Sequence, residues 1–364
     1  MKKHEKHAKL AKPDIGNFGR NELALLGAPC GEIQKLAGQL IEIIGLTNST
    51  YIDADHAFGD SEAKGLSQNE LTDKIKFFRF DKAGFNDFDQ KILLNDQELI
   101  LINGNHFQAA KQLVLIHPKK EESLKKRLDQ LTNPVGFVLC EGMEKPFDWL
   151  GDLVNGKPVF SISETSEIAQ LIQENCPAPG IKGLVLAGGK STRMGEDKGQ
   201  INYHGSPQVD FLLSEFKKVD IDGFVSCRPE QYEGYPRITD KFEGLGPFGA
   251  IASAFQNDPN AAWLVVACDL PLVNTTVFEE LFSQRNPAKA ATAFHNPETG
   301  FPDPLITLWE PKAYMRLMEF LALGYSCPRK VLINSDVEII QPSDPMVLKN
   351  VNTPEEKAEF EIKA

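Results

Sequence analysis

The sequence is short of positive charge: 39 lysines and arginines face 51 aspartates and glutamates over 364 residues, a formal net charge of -12. That excess argues against a nucleic-acid or anionic-membrane surface, and it makes any basic cluster a local device. Also missing is an apolar run of the roughly 20 residues that a membrane-spanning helix needs. The six cysteines (Cys30, Cys140, Cys176, Cys227, Cys268 and Cys327) are scattered, with no C-x-x-C pair. This excludes a zinc-ribbon pattern and a disulfide framework, and it fits reduced thiols in a cytoplasmic protein. The opening "MKKHEKHAKLAKP" is charged, with no apolar stretch after it, which does not fit a secretory signal. Residues 1–20 are therefore expected to form a flexible tail. Neither a short repeat nor a low-complexity tract is present.

What remains is ordinary globular composition, 41% hydrophobic and 25% charged, in a chain long for one core. Two domains are expected. The first, 21–176, offers the strand candidates "ELALLG", "TYIDAD", "QELILING", "QLVLIH", "PVGFVLC" and "PVFSI". Helical patterns run between them, as in "EIQKLAGQLIEIIG", "KEESLKKRLDQL" and "TSEIAQLIQE". Strands alternating with helices predict a largely parallel sheet. The two prolines of "ENCPAPGIKG" break both periods and mark a boundary. The second domain, 177–364, repeats the alternation with "GLVLA", "GFVSC", "AAWLVVACD", "AATAF" and "PLITLW" as strands. The fold class read from this is α/β, in two three-layer domains.

One stretch carries chemistry: "GLVLAGGKSTRMGEDKGQ", Gly183 to Gln200. A buried strand ends at Gly188 and Gly189. Without a Cβ they let the backbone turn sharply and approach a ligand closely. Backbone N–H groups in such a turn form an anion-binding concavity. Ser191 and Thr192 add hydroxyl donors, and Arg193 and Lys198 add fixed positive charge. A turn after the carboxyl end of a strand is where open α/β sheets bind ligands. The pattern is a triphosphate cradle and fits neither G-x-x-x-x-G-K-[ST] nor G-x-G-x-x-G. Asp269, at the end of "AAWLVVACD", is poised to hold a hard cation that also touches phosphate oxygens. Its bland alternative is a turn aspartate before Pro271. Asn350 and Asn352 are candidates to position metal or phosphates, or a pair of Asx turns. "GLGPFGAI" is a second glycine-rich turn, opening a helix whose N-terminus favours phosphate and the close approach of a base.

The run L-A-G-G-x-S-x-R-M-G-x-D-K resembles the signature of the molybdenum cofactor guanylyltransferases, nucleotidyltransferases of the glycosyltransferase-A type. Three further stretches resemble the family in its order: "DKFEGLGPFGAI" (Asp240 to Ile251), "VVACDLPLV" (Val265 to Val273) and "NVNTPEE" (Asn350 to Glu356). The resemblance covers about Lys182 to the C-terminus. It implies a Rossmann-like domain with a mostly parallel sheet, with Arg193, Lys198 and Asp269 as catalytic residues. It further implies Leu186, Ala187, Gly188, Gly189, Ser191, Lys198, Asp240, Gly246 and Pro247 as nucleotide-binding residues, and Mg²⁺ on Asp269. GTP and molybdopterin would be the substrates, and a recipient molybdoenzyme or its chaperone a partner, for a monomer or homodimer. At "VSCRPEQY" the sequence departs from the family: Ser226, Cys227 and Arg228 stand where an asparagine commonly reads the base. Cytidylyl transfer to molybdopterin, sugar-phosphate nucleotidyl transfer and a nucleotide-binding regulator without turnover therefore stay open. "FPDPLITLWEP" resembles a stretch that lines the acceptor site.

The first domain opens with "ELALLGAPCGEIQKLAGQL", where an α/β nucleotide-binding domain would carry a P-loop. Glu32 takes the place of the phosphate-binding lysine and Ile33 that of the metal-binding hydroxyl. A carboxylate facing a triphosphate is repulsive, so no GTP hydrolysis is expected here. The order of elements resembles the P-loop accessory protein of molybdenum cofactor guanylylation, with a degenerate P-loop. Asp53, Asp55 and His56 suggest either a metal or a strand-end turn.

Overall fold

A computed structural model describes residues 18–54, 70–76, 78–82, 84, 86–189, 195 and 197–363. The tail over residues 1–17, together with Asp55 and His56, lies outside them. The chain divides into two compact units, Arg20–Ala178 and Pro179–Ala364, the latter joined by the described residues Phe18 and Gly19.

In Arg20–Ala178 the strands are β1 (Asn21–Leu26), β2 (Ser49–Ile52), β3 (Glu70–Asp73), β4 (Phe78–Asp81), β5 (Leu99–Asn103), β6 (Lys111–Ile116), β7 (Pro134–Leu139) and β8 (Val159–Ser161). The helices are α1 (Cys30–Ile44), α2 (Asp87–Leu93), α3 (Glu121–Lys125) and α4 (Thr165–Glu174). Six strands form one parallel sheet in the order β2-β5-β1-β6-β7-β8. Both faces are covered. Leu23, Leu25, Leu113 and Leu115 join the core against α1 and α4, while Leu26, Val114 and Ile116 join a second core with Leu124 of α3. A sheet buried on both sides needs near-continuous apolar strands, which is what "LALL" and "LVLI" supply. Helix α1 buries Ile33, Leu36, Ala37, Leu40 and Ile44, one stripe at helical spacing, and stops at Gly45 in the left-handed conformation (φ 65°).

The turn before α1 departs from a working P-loop in space as well as in sequence. Glu32 Oε1 lies 3.2 Å from His117 Nε2 at the surface. Ile33 is wholly buried, so the position that would offer a hydroxyl to a metal faces the core. Asp53, read as part of either a metal site or a strand-end turn, accepts from Tyr51 Oη (2.8 Å) and Asn103 Nδ2 (2.7 Å).

In Pro179–Ala364 the strands are β9 (Ile181–Leu186), β10 (Gly223–Cys227), β11 (Arg237–Thr239), β12 (Ala262–Ala267), β13 (Ala291–Asn296), β14 (Phe301–Trp309) and β15 (Val337–Ile340). Its helices are α5 (Gln208–Lys218), α6 (Pro247–Asn257), α7 (Thr275–Ser283), α8 (Ala313–Ala322), α9 (Pro328–Ile333) and α10 (Pro354–Lys363). The sheet order is β11-β10-β9-β12-β14-β13-β15, antiparallel where β14 pairs with β12 and β13 and parallel elsewhere. Val185 points into one core with Leu212, Phe216 and Phe278; Leu184 points into the other with Phe248, Phe255, Trp263 and Trp309. Gly183 is glycine because Phe216 packs on the strand there: a Cβ would sit 2.5 Å from its ring. From β9 the chain runs outward to β10 and β11, then returns to β12 on the other side of β9. That reversal leaves a crevice at the carboxyl ends of the three strands.

The differences from the sequence reading fall on short elements. "KEESLKKRLDQL" is helical only over Glu121–Lys125, followed by a single 3-10 turn at Leu128–Gln130, because Leu124 is the one side chain α3 buries. The hairpin β3–β4 and the strands β11 and β15, three or four residues each, have no periodicity of their own and exist as partners of neighbours. Phe18, expected in the tail, stacks on Tyr314 with ring centroids 6.1 Å apart. No helix among the described residues is long and apolar enough to cross a membrane.

A buried ion pair closes the far side of this second unit. Arg285 donates from Nε and Nη2 to both carboxylate oxygens of Glu310, at 2.7 and 2.9 Å, and from Nη2 to Pro179 O. Glu310 is 0% exposed. Arg285→Ala strands that charge and is expected to destabilise the unit by about 3–5 kcal/mol, read from the unfolding transition of the Trp263 and Trp309 fluorescence.

Candidate functional site

The site begins with register. Leu186 of β9 lies between Ser226 of β10 and Ala267 of β12. The ladder continues one step, with Ala187 N donating to Ser226 O (3.0 Å) and Cys268 N to Leu186 O (3.3 Å). Beyond that step the three chains part around a cavity of about 480 Å³. Leu186, Ala187, Gly188 and Gly189 line it from β9, Ser226, Cys227 and Arg228 from β10, and Ala267, Cys268 and Asp269 from β12. Gly188 packs against the end of β10: a Cβ there would stand 3.2 Å from the Cα of Cys227.

Lys198 and Asp269 come together at the cavity. Asp197 caps a 3-10 turn, Lys198–Gln200, by accepting from Gly199 N (3.0 Å), and this turn presents the lysine. Lys198 Nζ donates to Asp269 Oδ2 (3.1 Å) and to Asn352 Oδ1 (2.5 Å). Asn352 arrives by a helix cap. Thr353 Oγ1 accepts from Glu356 N (3.3 Å) while Glu356 Oε2 accepts from Asn352 N (2.6 Å) and Thr353 N (3.2 Å), a reciprocal box at the start of α10. Val351 N donates to Asp269 O (2.8 Å) and fixes the segment beside the strand end. "NTPEE" is thus a capping sequence that delivers one side chain. Asn350 does not line the cavity.

The other Asp269 oxygen, Oδ1, is buried and has no hydrogen-bond partner among the described residues. A buried, unpartnered carboxylate oxygen is costly and needs a cation or a donor. This orphan fits a hard divalent ion. Among the described residues no three His, Cys, Asp or Glu side chains converge on a metal position. An ion held here would take one carboxylate from the protein and its other ligands from phosphates and water, as is usual for Mg²⁺ at phosphoryl sites.

Asp240, Gly246, Pro247 and Ala250 line the cavity at the start of α6. Gly246 has a left-handed φ of 56° and Pro247 sits in the first turn of the helix, where a missing N–H does no harm. Asp240 Oδ1 accepts from Phe242 N (2.8 Å) and lies 3.2 Å from Ser253 Oγ. Burial pushes the Asp240 carboxyl above its ordinary value, against these hydrogen bonds, which pull it down. Burial likewise raises the Cys227 and Cys268 thiols, so both line the cavity as neutral groups.

The cavity therefore gathers Leu186, Ala187, Gly188, Gly189, Lys198, Asp240, Gly246, Pro247 and Asp269. Arg193, Ser191 and Thr192 lie outside the described residues. Sequence reasoning missed Cys268, Ala250 and the hydrogen bond from Tyr232 to Asp197. The first two stand inside the recognised stretches "VVACDLPLV" and "DKFEGLGPFGAI", and only the packing of β12 and α6 around the cavity shows that they face it.

Residues 183–337 match the family model of the MobA-like NTP transferase domain. The chain is 37% identical over 179 residues to a molybdenum cofactor biosynthesis bifunctional protein of Synechocystis sp., covering 48% of this chain and 52% of that protein. The match thus spans about half the length of that relative. A probable molybdenum cofactor guanylyltransferase of Nostoc sp. is 30% identical over 182 residues, 48% of this chain and 87% of the relative. Among solved structures, molybdopterin-guanine dinucleotide biosynthesis protein A of Archaeoglobus fulgidus is 23% identical, with a TM-score of 0.43, covering 50% of this chain and 97% of that one.

At Gly249 a Cβ would fall 2.5 Å from Phe242 O and 2.8 and 2.9 Å from the Asp240 carboxylate oxygens. Gly249→Ala is expected to displace Asp240 and cost about 1–3 kcal/mol of stability. Calorimetric titration should show weaker nucleotide binding, whereas Gly189→Ala, whose Cβ meets no atom of the described residues within 4 Å, should leave stability unchanged.

Proposed function

From the premise that the chain belongs to the molybdenum cofactor guanylyltransferase family, we propose that it transfers GMP from GTP to the phosphate of molybdopterin and releases pyrophosphate. The observation that carries this reading is the convergence of the Gly188–Gly189 turn, Lys198 and the half-satisfied Asp269 on one cavity. In the reaction a molybdopterin phosphate oxygen attacks the α-phosphorus of GTP. A new P–O bond forms, the bond to the β-phosphate breaks, and pyrophosphate leaves with its electron pair. The protein has to align two anions and offset the charge between them.

Backbone N–H groups of the glycine turn hold the phosphates, and Lys198 is the cation beside them. The surplus of acidic residues over the whole chain makes that local charge the more necessary. Asp269 would hold Mg²⁺ together with substrate phosphates, and the ion would supply positive charge to offset that of the phosphates. Asn352 keeps Lys198 directed at the cavity. The base takes the opening between Arg228 and Asp240. A guanidinium suits the O6 and N7 acceptors of guanine. The Asp240 carboxylate is an acceptor for guanine N1–H and N2–H.

Cytidylyl transfer is the second reading. It is favoured by Ser226, Cys227 and Arg228 at the positions where an asparagine is common in the family. Pyrophosphate release with molybdopterin and Mg²⁺, compared for GTP, CTP and ATP, separates the two. Release with GTP alone is expected, falling about 100-fold or more in Lys198→Ala. Release with CTP would keep the chemistry and reassign the base; tight nucleotide binding without release would leave a regulatory protein.

A further inference from the structure

The loop that lines the cavity at Cys227 and Arg228 continues to Tyr232, a residue with no part in the chemistry above. Tyr232 is 9% exposed, and its backbone sits in the left-handed region at φ 53°, disfavoured for a bulky side chain. Such a conformation persists only where the surroundings over-determine it. Tyr235 packs edge-on against the ring at 5.6 Å. The Tyr232 hydroxyl donates to Asp197 Oδ1 at 2.7 Å, and Gln200 is a second hydrogen-bonding neighbour. Asp197 and Gln200 flank Lys198 in the turn that presents it. Gly199, between them, has no room for a side chain, since a Cβ would lie 2.2 Å from the Tyr232 hydroxyl oxygen and 2.6 Å from Val209 Cγ2.

The loop itself is braced. Gln231 Oε1 accepts from Arg228 N (3.2 Å) and Nε (3.3 Å), and Cys227 Sγ donates to Gln231 O (3.5 Å). Arg237 Nη1 donates to Pro229 O (2.9 Å) and Gln231 O (2.7 Å). These bonds tie Arg228 to the residue that precedes Tyr232.

We propose that Tyr232 is a positioning residue for Lys198: its hydrogen bond to Asp197 fixes the turn carrying the lysine, so that the cavity loop at Cys227–Arg228 sets where the cation stands. This rests on the nucleotidyl-transfer reading of the cavity. It adds that the wall assigned to the base and the lysine assigned to the phosphates are one mechanical unit. A nucleotide that seats badly against Arg228 also meets a displaced Lys198, and discrimination among bases then enters the rate as well as the binding.

The test is a double-mutant cycle on the full chain: wild type, Tyr232→Phe, Lys198→Ala and the double variant. The dissociation constant for GTP with Mg²⁺ is read by calorimetry, and kcat and KM from pyrophosphate release; CTP replaces GTP if wild type selects it. Phenylalanine keeps the ring and its packing, so thermal unfolding checks that the variant folds. Tyr232→Phe is expected to weaken nucleotide binding about five-fold and lower kcat about ten-fold, with less than a two-fold effect on binding once Lys198 is alanine, since residues acting through one another are not additive. Asp197→Asn, which keeps an acceptor oxygen for both donors, should retain most of the activity that Asp197→Ala loses. Equal effects of Tyr232→Phe with and without Lys198, or a change in melting temperature alone, would overturn the proposal. The binding cycle reads the coupling whether or not wild type transfers a nucleotide to molybdopterin, so failure of the transfer assay and failure of this inference are separate results.

Discussion

The second unit's cavity depends on where one ammonium group is held. Lys198 Nζ is shared by Asp269, 71 residues on, and Asn352, 154 residues on. Both partners of the ion pair are largely buried, with side chains 19% and 15% exposed. Desolvation offsets much of the attraction in such a pair, so it adds little to net stability. What it fixes is position. A strand end, a one-turn segment and a capped C-terminal helix are brought to one point, and their flanking sequence serves to hold them there. Asp269 Oδ1 has no hydrogen-bond partner among the described residues.

The two units use the same architectural device with opposite outcomes. Each places a glycine-containing turn at the carboxyl end of a central parallel strand, the position at which this class of sheet binds ligands. In Pro179–Ala364 the turn opens onto a cavity with a cation beside it. In Arg20–Ala178 the corresponding turn is closed. A Cβ at Gly27 would lie 2.3 Å from Leu115 O, Glu32 is paired with His117, and Ile33 belongs to the core. Fold alone does not make a site; the side chains at the strand ends do.

The larger elements were legible in the sequence because they carry their own signal. "LALL", "LVLI" and "WLVVA" are continuous apolar runs fit only for a sheet covered on both faces, and α1 shows its stripe in the bare spacing of Ile33, Leu36, Ala37, Leu40 and Ile44. The short strands β11 and β15 and the hairpin β3–β4 were not legible, since a strand of three or four residues is specified by the neighbour it pairs with. The same division runs through the site. Gly188, Gly189, Lys198, Asp240 and Asp269 sit in motifs whose residue types state their chemistry. Tyr232 sits in none, and nothing local announces that its hydroxyl reaches Asp197, 35 residues away.

By itself the sequence determined the class of the fold, the order of the larger elements and the identity of the charged groups that line the cavity. These follow from side-chain periodicity and from functional groups that keep their chemistry wherever they are placed. Only the tertiary structure decided that Asn352 and not Asn350 reaches Lys198, that Asp269 Oδ1 has no partner among the described residues, and that Tyr232 hydrogen-bonds to Asp197 beside that lysine. Each of those depends on register and packing between segments far apart in the chain, where a shift of one residue or a few tenths of an ångström changes the partner.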